Sequence, residues 1–310
     1  MNPNYSLYRV HQKIAMMEKY LNLDKYINGE KNSLDQIRSY YRLNNWAYRR
    51  FHSHDGFMHF RISMNGCFTD EDVYRQPDAV SQFIQPGSVV MELGFGQGSN
   101  LLYLAHSHPE ATFIGLDLQK LKKKDVPSNV TTYMQDYRDL SRFEDNSVDV
   151  MYAFETIVHN SPEDKERVYT EACRVLKPGG VIVVYDYALR EPFESYDPVV
   201  QKAIATSKGG ASSIIESLDA LHAHYANSGL VLEKITDYTR ETLPDLKRLE
   251  RTAAKIMERP LLARLVFALF PEQFVSNIII GYLGYDGANT GYGIYAEWIL
   301  RKPDPAASKL

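Results

Sequence analysis

Cysteine, net positive charge and long apolar runs are all scarce in this chain, and each shortage removes a class of protein. Its two cysteines, Cys67 and Cys173, are too few for a disulfide framework or a four-ligand zinc site. They suit a reducing compartment, so a cytoplasmic location is expected. Lysine and arginine number 35 against 39 aspartates and glutamates, for a net charge of −4. The one dense basic run is Lys120 to Lys124, so the electrostatic footprint of a nucleic-acid binder is missing and no nucleic-acid partner is expected. The longest apolar stretch, Leu261 to Phe270, is broken by Arg264 and closed by Pro271, too short to span a bilayer. Its composition fits a lid or a dimer surface better than a membrane anchor. The polar start, Met1 to Tyr5, lacks the basic-then-apolar order of a secretory signal. No repeat or low-complexity linker divides the chain.

What remains is the composition of a well-packed globular protein, 44% hydrophobic and 24% charged. Its 310 residues accommodate one large α/β domain with additions, or two modest domains. Tyrosine is plentiful, at 22 residues. A ring with an apolar face and a polar tip suits a pocket for a large apolar ligand, and equally a core or an interface.

Residues 1 to about 75 read as helical, with Ile14, Met17, Tyr20 and Leu21 at helical spacing and an aromatic run from Tyr40 to Tyr48. From Pro86 the pattern changes. Val89 to Leu93, Phe113 to Asp117, Val130 to Met134, Val148 to Ala153 and Val181 to Tyr185 read as buried strands. The last of these follows a turn at Lys177 to Gly180. Helical segments between them imply a mostly parallel sheet with crossover helices. Helices are expected over 213–227 and 245–259, and a final strand pair near 291–300.

The segment Glu92-Leu93-Gly94-Phe95-Gly96-Gln97-Gly98-Ser99-Asn100 is the central chemical feature. Glycines at 94, 96 and 98 let a backbone turn sharply and approach a ligand, and the helix that follows offers unpaired amides. A dinucleotide-binding loop has the spacing G-x-G-x-x-G; here it is G-x-G-x-G, preceded by an acid. Glu92 would repel a pyrophosphate and suits the ammonium of a zwitterionic ligand. Asp117, at the end of the next strand, is placed to accept from both hydroxyls of a ribose. Asp136 is a candidate acceptor for an adenine amino group, with Tyr137 or Met134 near the ring. A tight turn and two capping acids would be the structural alternative.

Glu92 to Gly98, Asp117, Asp136, Asp145 to Asp149 and Arg174 to Gly180 together resemble, in order and spacing, the motif series of class I S-adenosylmethionine-dependent methyltransferases. The resemblance covers residues 86–187. It implies a Rossmann-like fold: a doubly wound, mostly parallel seven-stranded α/β sheet. The cofactor would be S-adenosylmethionine (product S-adenosylhomocysteine), held across the carboxyl ends of the strands by Glu92, Gly94, Gly96, Gly98, Asn100, Asp117, Leu118, Asp136, Tyr137 and Phe154. Three parts are expected: a helical cap over 1–80, the cofactor-binding core over 81–190, and a stretch over 191–310 that completes the core and adds a helical lid.

A finer resemblance is to sterol and terpenoid C-methyltransferases. It is carried by Phe154-Glu155-Thr156-Ile157-Val158-His159-Asn160, by Phe57-Met58-His59-Phe60 and by the end of the chain from Gly291 to Pro303. The chain departs from that group in a short lysine-rich stretch after Asp117 and in His54-Asp55-Gly56-Phe57, where an aromatic motif is degraded. Glu155 and His159, four apart, would share one helical face and are the catalytic candidates. Methylation of an alkene leaves a carbocation, which aromatic faces stabilise and a carboxylate or imidazole deprotonates. Tyr48, Phe51, His59, Tyr152 and Tyr185 are the expected substrate-pocket residues. The acceptor implied is an apolar small molecule, isoprenoid or sterol-like. The alternatives are N- or O-methylation of a small polar metabolite and a non-catalytic S-adenosylmethionine-binding scaffold. The lack of an Asn/Asp-Pro-Pro-Tyr segment after the fourth strand argues against nucleic-acid methylation. No metal site is assigned: His52, His54 and His59 fit a polar loop better than a ligand set, and magnesium would enter only with a diphosphate-bearing substrate. A homodimer is compatible with the apolar stretch near residue 265.

Overall fold

The structure, a computed structural model, describes residues 3–27, 55–211 and 213–306. Seven strands form one sheet: β1 (Val89–Leu93), β2 (Thr112–Asp117), β3 (Val130–Met134), β4 (Val148–Phe154), β5 (Leu176–Leu189), β6 (Val231–Asp237) and β7 (Gly293–Arg301). Their spatial order is β3-β2-β1-β4-β5-β7-β6, with β7 antiparallel to both neighbours and every other pair parallel. This is the expected doubly wound sheet. The reversal between β1 and β4 opens a crevice at the carboxyl ends of the strands, where such folds bind ligands.

Among the described residues there are ten helices: α1 (Pro3–Met17), α2 (Asp24–Ile27), α3 (Arg75–Ser81), α4 (Ser99–Ser107), α5 (Pro162–Val175), α6 (Pro198–Ala211), α7 (Leu218–Ser228), α8 (Thr239–Met257), α9 (Pro260–Leu269) and α10 (Glu272–Asn289). Local signals set several ends. Ser161 accepts from the Asp164 amide at 3.2 Å with Pro162 in the first turn, and Ser217 likewise caps α7, which Gly229 closes at φ +83°. One core packs α5 and α7 against the sheet through Val168, Tyr169, Leu221 and Tyr225. The opposite face packs α3 and α4 through Val80, Leu101 and Leu104.

A third core, separate from the sheet, joins α1, α6, α8 and α10 through Val10, Ile14, Ala203, Ala253, Val275 and Ile279. A buried cation ties it together. Lys13 Nζ donates to Glu250 Oε1 at 2.6 Å and to the Tyr282 carbonyl at 2.6 Å, and lies 2.7 Å from Asp286 Oδ2. Arg9 bridges the same two carboxylates from the rim. A lysine this buried is tolerable only because it is fully paired.

Four expectations need correction. Residues 55–70 form no helix but run irregularly towards a 3-10 turn at Glu71–Tyr74. Lys177 to Gly180 is not a turn: β5 begins at Leu176 and absorbs those residues as an irregularity between Leu176 and Val181, opposite Val148 to Val150 of β4. The strand pair near 291–300 is the single strand β7, whose partners are β5 and the unforeseen β6, an edge strand with mostly exposed side chains and no clean alternation. The helix placed at 245–259 starts at Thr239 and runs through Pro244.

Candidate active site

The turn after β1 is built by glycines that no other residue could replace without strain. Gly94 has φ +78° and a Cβ there would strike Thr156 Oγ1; Gly98, also φ +78°, would strike the Leu121 side chain. The loop is thus pinned beneath the β4 turn and hands the chain directly to α4, with Gly98 as its N-cap.

Glu92 lies in β1 just before that loop and is 1% exposed. Its Oε2 accepts from the Tyr152 hydroxyl at 3.1 Å. Burial pushes the carboxyl up to about 8, against the hydrogen bonds from Tyr152 and Asn100. At the end of β2, Asp117 accepts from the Gly96 amide at 2.8 Å through Oδ2 and from the Gln119 amide at 2.9 Å through Oδ1. Burial still raises it to about 6. The two carboxyls face one cavity from adjacent strands.

Glu155 follows β4 in the left-handed region, φ +51°, one of two non-glycine residues there among the described residues. Such a backbone costs on the order of 1–3 kcal/mol and persists only when its surroundings hold it. Here they do. Its amide donates to the Tyr185 carbonyl at 2.7 Å, Oε1 accepts from the Phe60 amide at 2.6 Å, and Oε2 accepts from the Tyr187 hydroxyl at 2.6 Å. Tyr295, which is the cross-strand partner of Tyr187, adds a further hydroxyl contact. Burial lifts the Glu155 carboxyl to about 8, opposed by the bonds from Tyr187 and Phe60.

The shared helical face expected for Glu155 and His159 does not exist. Glu155 precedes a three-residue 3-10 turn, Ile157–His159, so the 3.6-residue period never applies. Both residues nevertheless line the same cavity.

That cavity, of about 530 Å³, is continuous and of a size that small-molecule sites occupy. It begins at Glu92, the glycine loop and Asp117, passes Phe154, Glu155 and Tyr187, and ends between α6, α8 and α10 against Ala203, Leu249, Ala253, Ile278, Gly281 and Gly284. Residues 55–60 form its near wall. His59, buried, pairs through Nε2 with Asn100 Oδ1 at 3.0 Å and meets the Phe154 ring edge-on. The Asp55 carbonyl accepts from Ser99 Oγ at 2.7 Å.

Of the other predicted residues, Glu92, Gly94, Gly96, Asn100, Asp117, Phe154 and His59 line the cavity. Gly98, at the N-cap of α4, completes the loop without lining it. Tyr152 and Tyr185 do not. They are buried in the core beneath it, with the Tyr152 hydroxyl spent on Glu92 and that of Tyr185 donating to Glu297 Oε1 at 2.5 Å. The aromatic wall is instead Phe154, Tyr187 and Tyr295. Tyr187 was findable: it lies two residues beyond Tyr185 on the same strand face, at the carboxyl end where the crevice opens. Leu118, Asp136 and Tyr137 also lie outside the lining. Asp136 is clamped by Arg138, with Nη2 to Oδ2 at 2.7 Å, and the Tyr137 hydroxyl donates to the Thr156 carbonyl at 2.9 Å. Tyr48, Phe51, His52 and His54 lie outside the described residues. Among the described residues, no group of three or more His, Cys, Asp or Glu side chains is arranged to hold a metal ion.

Comparison with known proteins bears on this geometry. Residues 90–180 match a family described as "Methyltransferase domain". The sterol 24-C-methyltransferase of Schizosaccharomyces pombe is 29% identical over 178 residues, covering 53% of this chain and 45% of that one. The chain spans about half the length of the curated relatives it matches. Among solved structures, the cyclopropane synthase MmaA2 from Mycobacterium tuberculosis superposes with a TM-score of 0.71 at 13% identity, covering 88% of this chain and 100% of that one. The geranyl diphosphate C-methyltransferase from Streptomyces coelicolor gives 0.65 at 14% identity, covering 88% and 100%. At these identities the two superpositions establish the fold.

Proposed function

We propose, on the premise that residues 90–180 carry a class I S-adenosylmethionine-dependent methyltransferase domain, that this chain methylates a carbon atom of an apolar, isoprenoid or sterol-like acceptor. The observation that carries the reading is the single cavity running from Glu92 and Asp117 past Glu155 into an apolar chamber between helices. The names of relatives that act on sterols and on geranyl diphosphate support the acceptor class.

The donor half of the cavity fits the methyl donor. Glu92 is a buried carboxyl facing the cavity with room for an ammonium, the glycine loop leaves no Cβ in the way, and Asp117 can exchange its bond to the Gly96 amide for ribose hydroxyls. S-adenosylmethionine supplies, when bound, an electrophilic methyl group on a sulfonium.

The chain's own residues account for the rest. The apolar lining excludes water and orients the acceptor's double bond. The π pair would form the new carbon–carbon bond while the sulfur–methyl pair stays with the departing S-adenosylhomocysteine, leaving positive charge on the neighbouring carbon. The faces of Phe154, Tyr187 and Tyr295 stabilise it. The adjacent C–H bond then breaks, its electron pair closing a new double bond and its proton passing to Glu155 Oε2. A carboxyl raised to about 8 is matched to that task near neutral pH. Tyr187 holds the carboxylate in place.

The test is incubation with methyl-labelled donor and a panel of sterols, prenyl alcohols, prenyl diphosphates and polar amines, with products located by mass spectrometry. Label on a carbon of an apolar acceptor is the expected result. Label confined to nitrogen or oxygen of polar acceptors overturns it.

A further inference from the structure

The helix α9 rests on the third core by one face, through Phe267, and leaves the other bare. Its only buried residue is Ala263, while Leu261 is 82% exposed, Leu265 55% and Leu269 70%, with Phe270 just beyond at 48%. Residues 261, 265 and 269 recur every four positions and so form one stripe along one face. Single exposed leucines are ordinary; three in register with a phenylalanine are not. The stripe adjoins the cavity, because Phe270 stacks on Phe274 at 5.1 Å and Phe274 lines the cavity with Ile256 and Ile278.

Charge around the stripe has one dominant sign. Lys19, Lys255, Arg259 and Arg264 are exposed there, and Arg264 Nη2 donates to the Lys19 carbonyl at 3.3 Å. The acids nearby are Glu258, Glu272 and Glu18, the last engaged by Lys202, so the rim is net positive. A basic rim round an apolar stripe is what a helix lying in an anionic lipid interface presents. It stands out on a chain whose net charge is −4. The same rim disfavours a parallel pairing with a second copy, which would set Arg259 and Arg264 against their own copies. No helix among the described residues is long and apolar enough to cross a membrane, so the contact would be peripheral.

We propose that α9 docks the chain onto an anionic bilayer surface, with Leu261, Leu265, Leu269 and Phe270 in the acyl boundary and the basic rim on the headgroups. The apolar end of the cavity then faces the phase in which an apolar acceptor dissolves. That purpose rests on the acceptor class proposed above, but docking itself is measured without any acceptor or methyl transfer, so either can fail alone.

The experiment is co-sedimentation of the full chain with sucrose-loaded vesicles, of phosphatidylcholine alone and with about a third phosphatidylglycerol. The expected result is binding to the anionic vesicles that weakens with salt. Leu265→Glu with Leu269→Glu should lower partitioning by about tenfold or more, and Arg259→Gln with Arg264→Gln by about tenfold on anionic vesicles alone. All four positions are exposed, so the circular dichroism spectrum and the affinity for S-adenosylhomocysteine should not change. The proposal fails if the wild-type chain ignores anionic vesicles, or if the glutamate pair binds them equally well. It also fails if light scattering shows a dimer that the glutamate pair dissolves while vesicles remain unbound, which would make a second copy the occupant.

Discussion

The Glu92 carboxyl should make ligand binding release a proton. Without a ligand its pKa is about 8, chiefly because burial penalises the charge. An ammonium seated beside it restores the ionised form, so the bound state has the lower pKa. A ligand that favours the ionised state binds more tightly as pH rises towards 8. At pH 7 about nine-tenths of the free protein carries the proton, so binding there should release about 0.9 proton. Between pH 7 and pH 6 the dissociation constant should weaken about tenfold. Asp117, at about 6, adds roughly twofold at the lower end. Above about pH 8 the ligand's own α-amino group begins to titrate, so the limb below 8 is the diagnostic one. The assay is calorimetric titration with S-adenosylhomocysteine at pH 6, 7 and 8, in buffers of differing ionisation enthalpy. At pH 7 and 8 Glu92→Gln should bind weakly and release almost no proton, the remaining release at pH 6 coming from Asp117, whereas Glu155→Gln should keep the wild-type release intact. A flat dissociation constant over this range, with no buffer dependence in the wild type, would refute the pairing of Glu92 with an ammonium.

Three further outcomes follow from the geometry. Glu155→Gln should lower the methyl-transfer rate by about 10²–10⁴-fold while leaving S-adenosylhomocysteine affinity unchanged. The wild-type rate should climb with pH, reach half its maximum near 8 and level off above that, as the base ionises. The stability effect runs the other way. An acid whose pKa rises from 4.5 to about 8 on folding penalises the native state progressively above pH 4.5, up to about pH 8. At pH 8, therefore, Glu155→Gln should melt no lower than wild type, and a large fall in Tm would mean that the carboxylate is structural. Gly284→Leu fills the end of the cavity, since even a Cβ there lies 3.2 Å from Leu246. It should shorten the range of acceptors used without changing donor affinity, as a competition assay across acceptor lengths would read. Lys13→Met takes the buried cation from Glu250 and Asp286 in the third core, leaving them Arg9 at the rim and, for Glu250, Lys247. Denaturant unfolding should show a loss of about 3 kcal/mol, and a loss under about 1 kcal/mol would place the cap's stability in its apolar contacts.

Much of the donor half was legible in the residues. β1, β2, β4 and β5 are buried runs of the kind parallel sheets require, and Glu92, the glycines and Asp117 fall where their strand ends dictate. The residues are silent where a tertiary partner decides the outcome. Asp136 reads as a free loop acid, whereas the fold closes Arg138 onto both it and Asp164 of α5. Tyr185 and Tyr187 share a strand face, and only the depth of the sheet separates a core ring from a pocket ring. The four-residue spacing of Glu155 and His159 suggested a helix, because nothing local announces that Glu155 takes a positive φ. That conformation is imposed by Tyr185 and Phe60 from two other segments. β6 has no signature in the sequence because an exposed edge strand carries no alternation to read.

The two halves of the site have different origins in the fold. Glu92, Asp117, Glu155 and Tyr187 sit at or just beyond the carboxyl ends of four neighbouring parallel strands, β2, β1, β4 and β5, so the sheet alone brings them together. Most of this falls within residues 90–180, the stretch that matches the methyltransferase-domain family. The chamber that would receive the acceptor is built by α6, α8 and α10, all outside that stretch, and its walls are small residues such as Ala203, Ala253, Gly281 and Gly284. A donor site shared with that family would therefore say little about the acceptor, because the residues that shape the chamber are not those that carry the family likeness. Substitutions in the cap should redirect acceptor choice at constant donor affinity, and substitutions at the strand ends should do the reverse. Glu155 is the exception to that division. It leaves β4 on the donor side, yet its carboxyl is held by Phe60 and Tyr187 against the acceptor chamber, so a change there should alter turnover without altering affinity for either ligand.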